Sequence, residues 1–106
     1  MQQISAEELF SQLQDNRNGI LLLDVRETWE REVCNIEGSI HINFTDIAHR
    51  LDDLDPEAEI VVICHHGIRS IQIAGFLESN GFSRVSNLAG GIDSWAEAIE
   101  PGMTRY

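Results

Sequence analysis

Glu59-Ile60-Val61-Val62-Ile63-Cys64 constrains this chain more than any other stretch. Its four central residues are apolar and β-branched, with no polar position between them. A strand without polar alternation has no solvated face, so it must be covered on both sides. Sheets with such strands are parallel, with helices packed on each face. Ile20-Leu21-Leu22-Leu23, stopping at Asp24, is a second run of the same kind. Parallel neighbours cannot be joined by a hairpin; they need a crossover, usually a helix.

The intervening sequence supplies those crossovers. Ser5-Ala6-Glu7-Glu8 reads as a capping box that opens a helix through about Gln14, with Leu9, Phe10 and Leu13 as its apolar stripe. Ile40 to Phe44 alternates and predicts a shorter strand. Thr45 or Asp46 is placed to cap a short helix through about Leu51, and Asp55-Pro56 marks a turn. From about Ile68 to Asn80 the apolar residues Ile73, Ala74, Phe76 and Leu77 recur at helical spacing, and Gly81 stops the run. Arg84 to Leu88 predicts a last strand. Gly90-Gly91 then turns the chain into a helix from about Ile92 to Ile99. Strand and helix alternate throughout, which predicts an α/β fold with a mainly parallel sheet, in one domain over residues 1–106. Ligands of such sheets sit beyond the carboxyl ends of the strands, which points to Asp24 and Cys64.

Charge narrows the partners. Eighteen acidic residues face seven basic ones, all Arg, for a net charge of −11. Nucleic acid is disfavoured, because phosphate backbones are bound by clustered positive charge. Small anions are repelled at long range, so any anion site must be built locally from backbone amides and a few Arg. No apolar run approaches the ~20 residues a membrane helix needs. The N-terminus shows neither the basic start nor the apolar core of a secretory leader. A cytoplasmic protein without a membrane partner is therefore expected. Two cysteines, Cys34 and Cys64, make neither a disulfide framework nor a zinc site. No metal is expected, since adjacent ligands such as Cys64, His65 and His66 fit no zinc spacing.

The chemistry gathers in Cys64-His65-His66-Gly67-Ile68-Arg69-Ser70. A cysteine closes a buried strand, a short loop follows, and a helix begins. Successive loop N–H groups can converge into an anion cradle, to which a helix N-terminus adds partial positive charge. A cysteine thiolate is favoured there, and the thiolate is the nucleophile. Gly67 lets the backbone curl without a Cβ clash.

This segment resembles the active-site loop of the rhodanese family, and the similarity extends along nearly the whole chain. Asp24-Val25-Arg26-Glu27 resembles the family's Asp-x-Arg motif. Ile36-Glu37-Gly38-Ser39-Ile40-His41-Ile42 resembles its central segment, with Glu37 where Pro is usual. Asn87-Leu88-Ala89-Gly90-Gly91-Ile92-Asp93-Ser94-Trp95 resembles its Gly-Gly-to-Trp ending. The resemblance implies a five-stranded sheet flanked by helices. It also implies transfer of sulfane sulfur from a donor, through a persulfide on Cys64, to a thiophilic acceptor. Residues 65–70 would cradle the persulfide, and no cofactor beyond it is expected. Partners would be a small sulfur donor, a sulfur-relay protein, or both. Four residues separate Cys64 from Arg69; related phosphatase loops are one residue longer, so this loop suits one sulfur atom better than a phosphate.

Other residues carry open alternatives. Asp24 is expected to fix the loop, through Arg69 or through backbone amides. Arg26 either binds an anionic donor, as the matching family position does, or lies exposed beside Glu30. Arg69 opens a helix, where a cation opposes the dipole, so a partner such as Asp24 or a substrate anion is expected. His65 and His66 are expected to face solvent and set acceptor preference. Cys34 is expected in the core, and Trp29, Phe76, Phe82 and Trp95 as packing residues. Three functions compete: an enzyme acting on small donors, a sulfur-relay carrier, and a non-catalytic interaction module. Retention of Cys64 in an intact loop argues against the last.

Overall fold

The computed structural model describes residues 1–106. Five strands, β1 (Gln2–Ile4), β2 (Ile20–Asp24), β3 (Ile40–His41), β4 (Glu59–Ile63) and β5 (Val85–Leu88), alternate with helices α1 (Ala6–Asn16), α2 (Thr28–Val33), α3 (Arg69–Ser79) and α4 (Gly91–Ala98). The strands form one sheet in the order β1-β5-β4-β2-β3, and every pairing is parallel. No helix is long and apolar enough to cross a membrane.

Strand β4 shows why its sequence lacks alternation. Ile60, Val62 and Cys64 project into a core shared with Ile73, Ala74 and Leu77 of α3. Val61 and Ile63 project into a second core with Leu9 and Leu13 of α1 and Ile92 and Trp95 of α4. Period two persists, but both faces are covered, so each position is apolar.

The Ser5 capping box closes as expected: the Ser5 hydroxyl accepts from the Glu8 N–H at 3.1 Å, and Glu8 accepts from the Ser5 N–H at 3.1 Å. Four elements differ from expectation. The strand expected over 40–44 stops at His41, although Ile42 and Phe44 still donate to the carbonyls of Asp24 and Val25. The helix expected from Thr45 or Asp46 is two single 3₁₀ turns, Ile47–His49 and Leu51–Asp53. Strand β1 and helix α2 are additional; their three and six residues are too few for periodicity to reveal.

Register sets the site. Asp24 pairs with Ile63, so Asp24 and Cys64 leave the same carboxyl edge of the sheet one position out of register and on opposite faces.

Candidate active site

Cys64 lies one residue beyond β4 and is 1% exposed. Its Sγ accepts the Gly67 N–H at 3.1 Å and the Ser70 N–H at 3.4 Å, and stands 3.2 Å from Ser70 Oγ. The first two donors turn the positive ends of their N–H dipoles toward the sulfur. The N–H groups of His65, His66 and Ile68 have no acceptor within the protein.

Asn87 holds this arrangement from β5. Its Nδ2 donates to the Gly67 carbonyl at 3.2 Å and to Gln3 Oε1 at 2.8 Å. Its Oδ1 accepts the hydroxyl proton of Ser70. Asn87 has no role of its own in the Gly-Gly-to-Trp segment; a polar residue within the fully buried part of a strand is its available signal.

The Gly90-Gly91 pair has a steric explanation. The carbonyls of Cys64 and His65 accept the Ile92 and Asp93 N–H groups at 2.8 and 3.1 Å, so the loop supplies acceptors for the first turn of α4. A Cβ on Gly91 would collide with those two carbonyl oxygens, and its φ of +63° already disfavours other residues. Gly67, at φ +89°, faces the same junction: a Cβ there would lie 3.0 Å from the Gly90 nitrogen and 3.1 Å from the Leu88 oxygen.

Several charged residues stand elsewhere than expected. Asp24 does not reach the loop. Its carboxylate receives Arg26 Nε and Nη2 at 2.9 and 2.7 Å and Arg31 Nη1 at 3.2 Å, while Oδ1 also caps the Arg26 N–H. Arg26 is neither exposed nor open to a donor: it is 0% exposed. Its guanidinium spends its remaining bonds on the carbonyls of Glu30 and Cys34 and on Tyr106 Oη. Burial alone would lower its basicity, but Asp24 and Tyr106 outweigh that and hold it charged. This is a buried ion pair inside the wall, and the bonds that satisfy it leave no face for a ligand.

The partner of Arg69 is Glu30, expected from the sequence beside Arg26. Arg69 Nη1 and Nη2 meet Glu30 Oε1 and Oε2 at 2.6 and 2.7 Å. Burial pushes the Glu30 carboxyl up, but Arg69, the Glu27 N–H and the Tyr106 hydroxyl together set it at about 2. Glu30 therefore answers the conflict between a cation and a helix N-terminus.

His66 is exposed as expected, but His65 is half-buried. Its ring stacks on Tyr106 with centroids 3.8 Å apart and planes at 13°. Its Nε2 is buried without a partner. Burial and then the neighbouring His66 lower its basicity, so it favours the neutral form and is a poor source of positive charge for a thiolate. Cys34 is half-buried with its Sγ 3.8 Å from Arg26 Nη1, and both cysteines are free. Trp29, expected as a packing residue, is 54% exposed.

A parallel α/β sheet with one cysteine cradled in a loop at its carboxyl edge defines the class: an α/β domain with a cysteine loop beyond the sheet. Comparison with known proteins then assigns the family. The rhodanese-like domain model matches residues 5–98, and the chain belongs to the rhodanese-like family. It is 33% identical over 88 residues to the thiosulfate sulfurtransferase GlpE of Actinobacillus pleuropneumoniae, covering 83% of this chain and 82% of that one. It is 36% identical over 93 residues to YrkF of Bacillus subtilis, provisionally named a sulfur carrier protein. That match covers 88% of this chain and 50% of YrkF; a longer Arabidopsis thaliana relative is spanned over 36% of its length. Among solved structures, a rhodanese-related protein of Thermoplasma volcanium superposes with a TM-score of 0.83 at 32% identity, over 95% of this chain and 96% of that one.

Proposed function

We propose that this chain is a sulfurtransferase that carries sulfane sulfur as a persulfide on Cys64. The observation that carries this reading is the environment of Cys64 Sγ: two N–H donors on the sulfur, and three further amides of the same loop without an acceptor within the protein. The relatives named for sulfur transfer support the same chemistry.

In the loading step the Cys64 thiolate attacks the sulfane sulfur of the donor. A Cys–S–S⁻ bond forms, the donor's S–S bond breaks, and the electron pair leaves with the donor remnant, which is sulfite when the donor is thiosulfate. In the unloading step an acceptor nucleophile attacks the terminal sulfur and Cys64 departs as thiolate. The free amides of His65, His66 and Ile68 are the donors available to the terminal persulfide sulfur. Neither step needs a proton from His65. Thiocyanate formation from a sulfane donor and cyanide tests the reading: it should vanish in Cys64→Ser and persist in Cys34→Ser.

Protein-to-protein relay is the favoured setting. The net charge of −11 gives thiosulfate no long-range attraction. Arg26 is sealed and Arg69 is paired with Glu30, so neither arginine is free to bind a small dianion. The name of YrkF is in keeping with such a role.

A further inference from the structure

The family match ends at residue 98, yet the segment after α4 folds back onto the Cys64 loop. Met103 packs against the core on the α1/α4 face. Arg105 grips Asp93 with two bonds, Nε to Oδ1 at 2.9 Å and Nη2 to Oδ2 at 3.0 Å. Asp93 is also the residue whose N–H holds the His65 carbonyl. The next residue, Tyr106, reaches the site itself. Its ring lies flat on His65, and its hydroxyl donates to Glu30 Oε2 at 2.7 Å while accepting from Arg26 Nη1 at 3.0 Å. Trp29 packs against the Tyr106 ring in a T-shaped arrangement, with centroids 5.5 Å apart and planes at 71°.

These contacts join both ends of one loop. His65 is the first residue after Cys64. Glu30 holds Arg69, the residue before Ser70, whose N–H and hydroxyl face the sulfur. Between those two anchors lie His66, Gly67 and Ile68, and Gly67 donates to Cys64. A shift at either anchor moves an amide relative to the sulfur.

We propose that Tyr106 is a positioning residue: through its stack on His65 and its bond to Glu30 it sets the geometry of the amides around Cys64. It does not touch the sulfur. The proposal rests on the sulfurtransferase reading for its kinetic consequence, but not for its structural one.

The test uses the full chain with Cys34→Ser as parent, so that Cys64 is the one reactive thiol, and compares Tyr106→Phe and Tyr106→Ala. Two quantities are read: the rate of Cys64 alkylation by iodoacetamide, and kcat and KM for thiosulfate-to-cyanide sulfur transfer. For Tyr106→Ala, kcat should fall on the order of tenfold, as misplacement from a distance does. KM for thiosulfate should stay within about a factor of two, since Tyr106 binds no donor. The alkylation rate should change in the same variant, and Tyr106→Phe, which keeps the stack but loses both hydroxyl bonds, should lie between. Parental alkylation and kcat in Tyr106→Ala would overturn the proposal. So would losses that follow the folded fraction by circular dichroism and vanish when both proteins are fully folded. A parent that alkylates and responds to Tyr106→Ala but never accepts sulfur would uphold the positioning role and sink the sulfurtransferase reading instead.

Discussion

Ser70 Oγ stands 3.2 Å from Cys64 Sγ while its hydroxyl proton is committed to Asn87 Oδ1. Asn87 has no freedom to reverse this, because Nδ2 is held by two oxygens, of Gly67 and Gln3. Ser70 therefore offers a neutral thiol a lone pair, and offers a thiolate chiefly its backbone N–H. The side chain places that amide; it does not supply the main charge on the sulfur.

Ser70→Ala should accordingly still take up sulfur, with a loading rate lower by roughly tenfold or less, the worth of one modest hydrogen bond. Asn87→Leu strands the Gly67 carbonyl and the Ser70 hydroxyl in a buried site and should cost about 1–3 kcal/mol in urea unfolding. An unchanged unfolding midpoint for Asn87→Leu would show that this network does not hold the loop.

Arg26 should behave as a wall residue. Arg26→Met leaves the Asp24 carboxylate buried with only Arg31 and a backbone N–H, and should destabilise by about 3–5 kcal/mol. Asp24→Asn combined with Arg26→Met removes both charges and should recover part of that loss in the same unfolding experiment. A stable Arg26→Met protein with sharply weakened thiosulfate affinity would instead make Arg26 a donor site.

The two strands that mattered most were legible because burial on both faces leaves an unbroken apolar run, as in Ile60–Ile63. Cys64 was legible for the same reason: a strand end, a glycine and a helix start follow in seven residues. The charged wall was not. Nothing local distinguishes a buried Arg26 from an exposed one, since burial is set by Asp24 on the same edge and by Tyr106, 80 residues away. Glu30 and Arg69 are 39 residues apart, and their pairing depends on where the fold places α2 relative to the first residue of α3, an arrangement no pattern within α2 encodes. Tyr106 lay outside every motif.

Glu30 should shape the acid limb of stability. Its carboxyl titrates at about 2 when folded and near 4.3 in an unfolded chain. Between those values the unfolded state binds more protons, so the contribution is complete above about pH 4.3 and is lost as pH falls toward 2. Arg69 is 35% exposed, so water screens the pair and the contribution is roughly 2 kcal/mol. Glu30→Gln should lower stability near neutrality by that order and flatten the decline of Tm below about pH 4.3. An acid limb identical to the parent's would contradict the assignment.

Salt should separate small-donor from protein-fed transfer. Repulsion from a net charge of −11 is screened over a Debye length of ~10 Å at 0.1 M. kcat/KM for thiosulfate should therefore rise as inert salt is added from low concentration. Ile68 is 69% exposed on the loop, so Ile68→Lys brings a cation close to the cradle and should raise kcat/KM at low salt. Tight thiosulfate binding that weakens with salt would favour a dedicated thiosulfate enzyme.

Intact-mass measurement after incubation with a sulfane donor tests the central claim most directly. The protein should gain the mass of one sulfur atom, with the label on Cys64 after digestion, and should lose it to cyanide or a thiol. Cys34→Ser should load as the parent does, and Cys64→Ser should not load. A Cys64→Ser protein that still carries and releases sulfur would contradict the account.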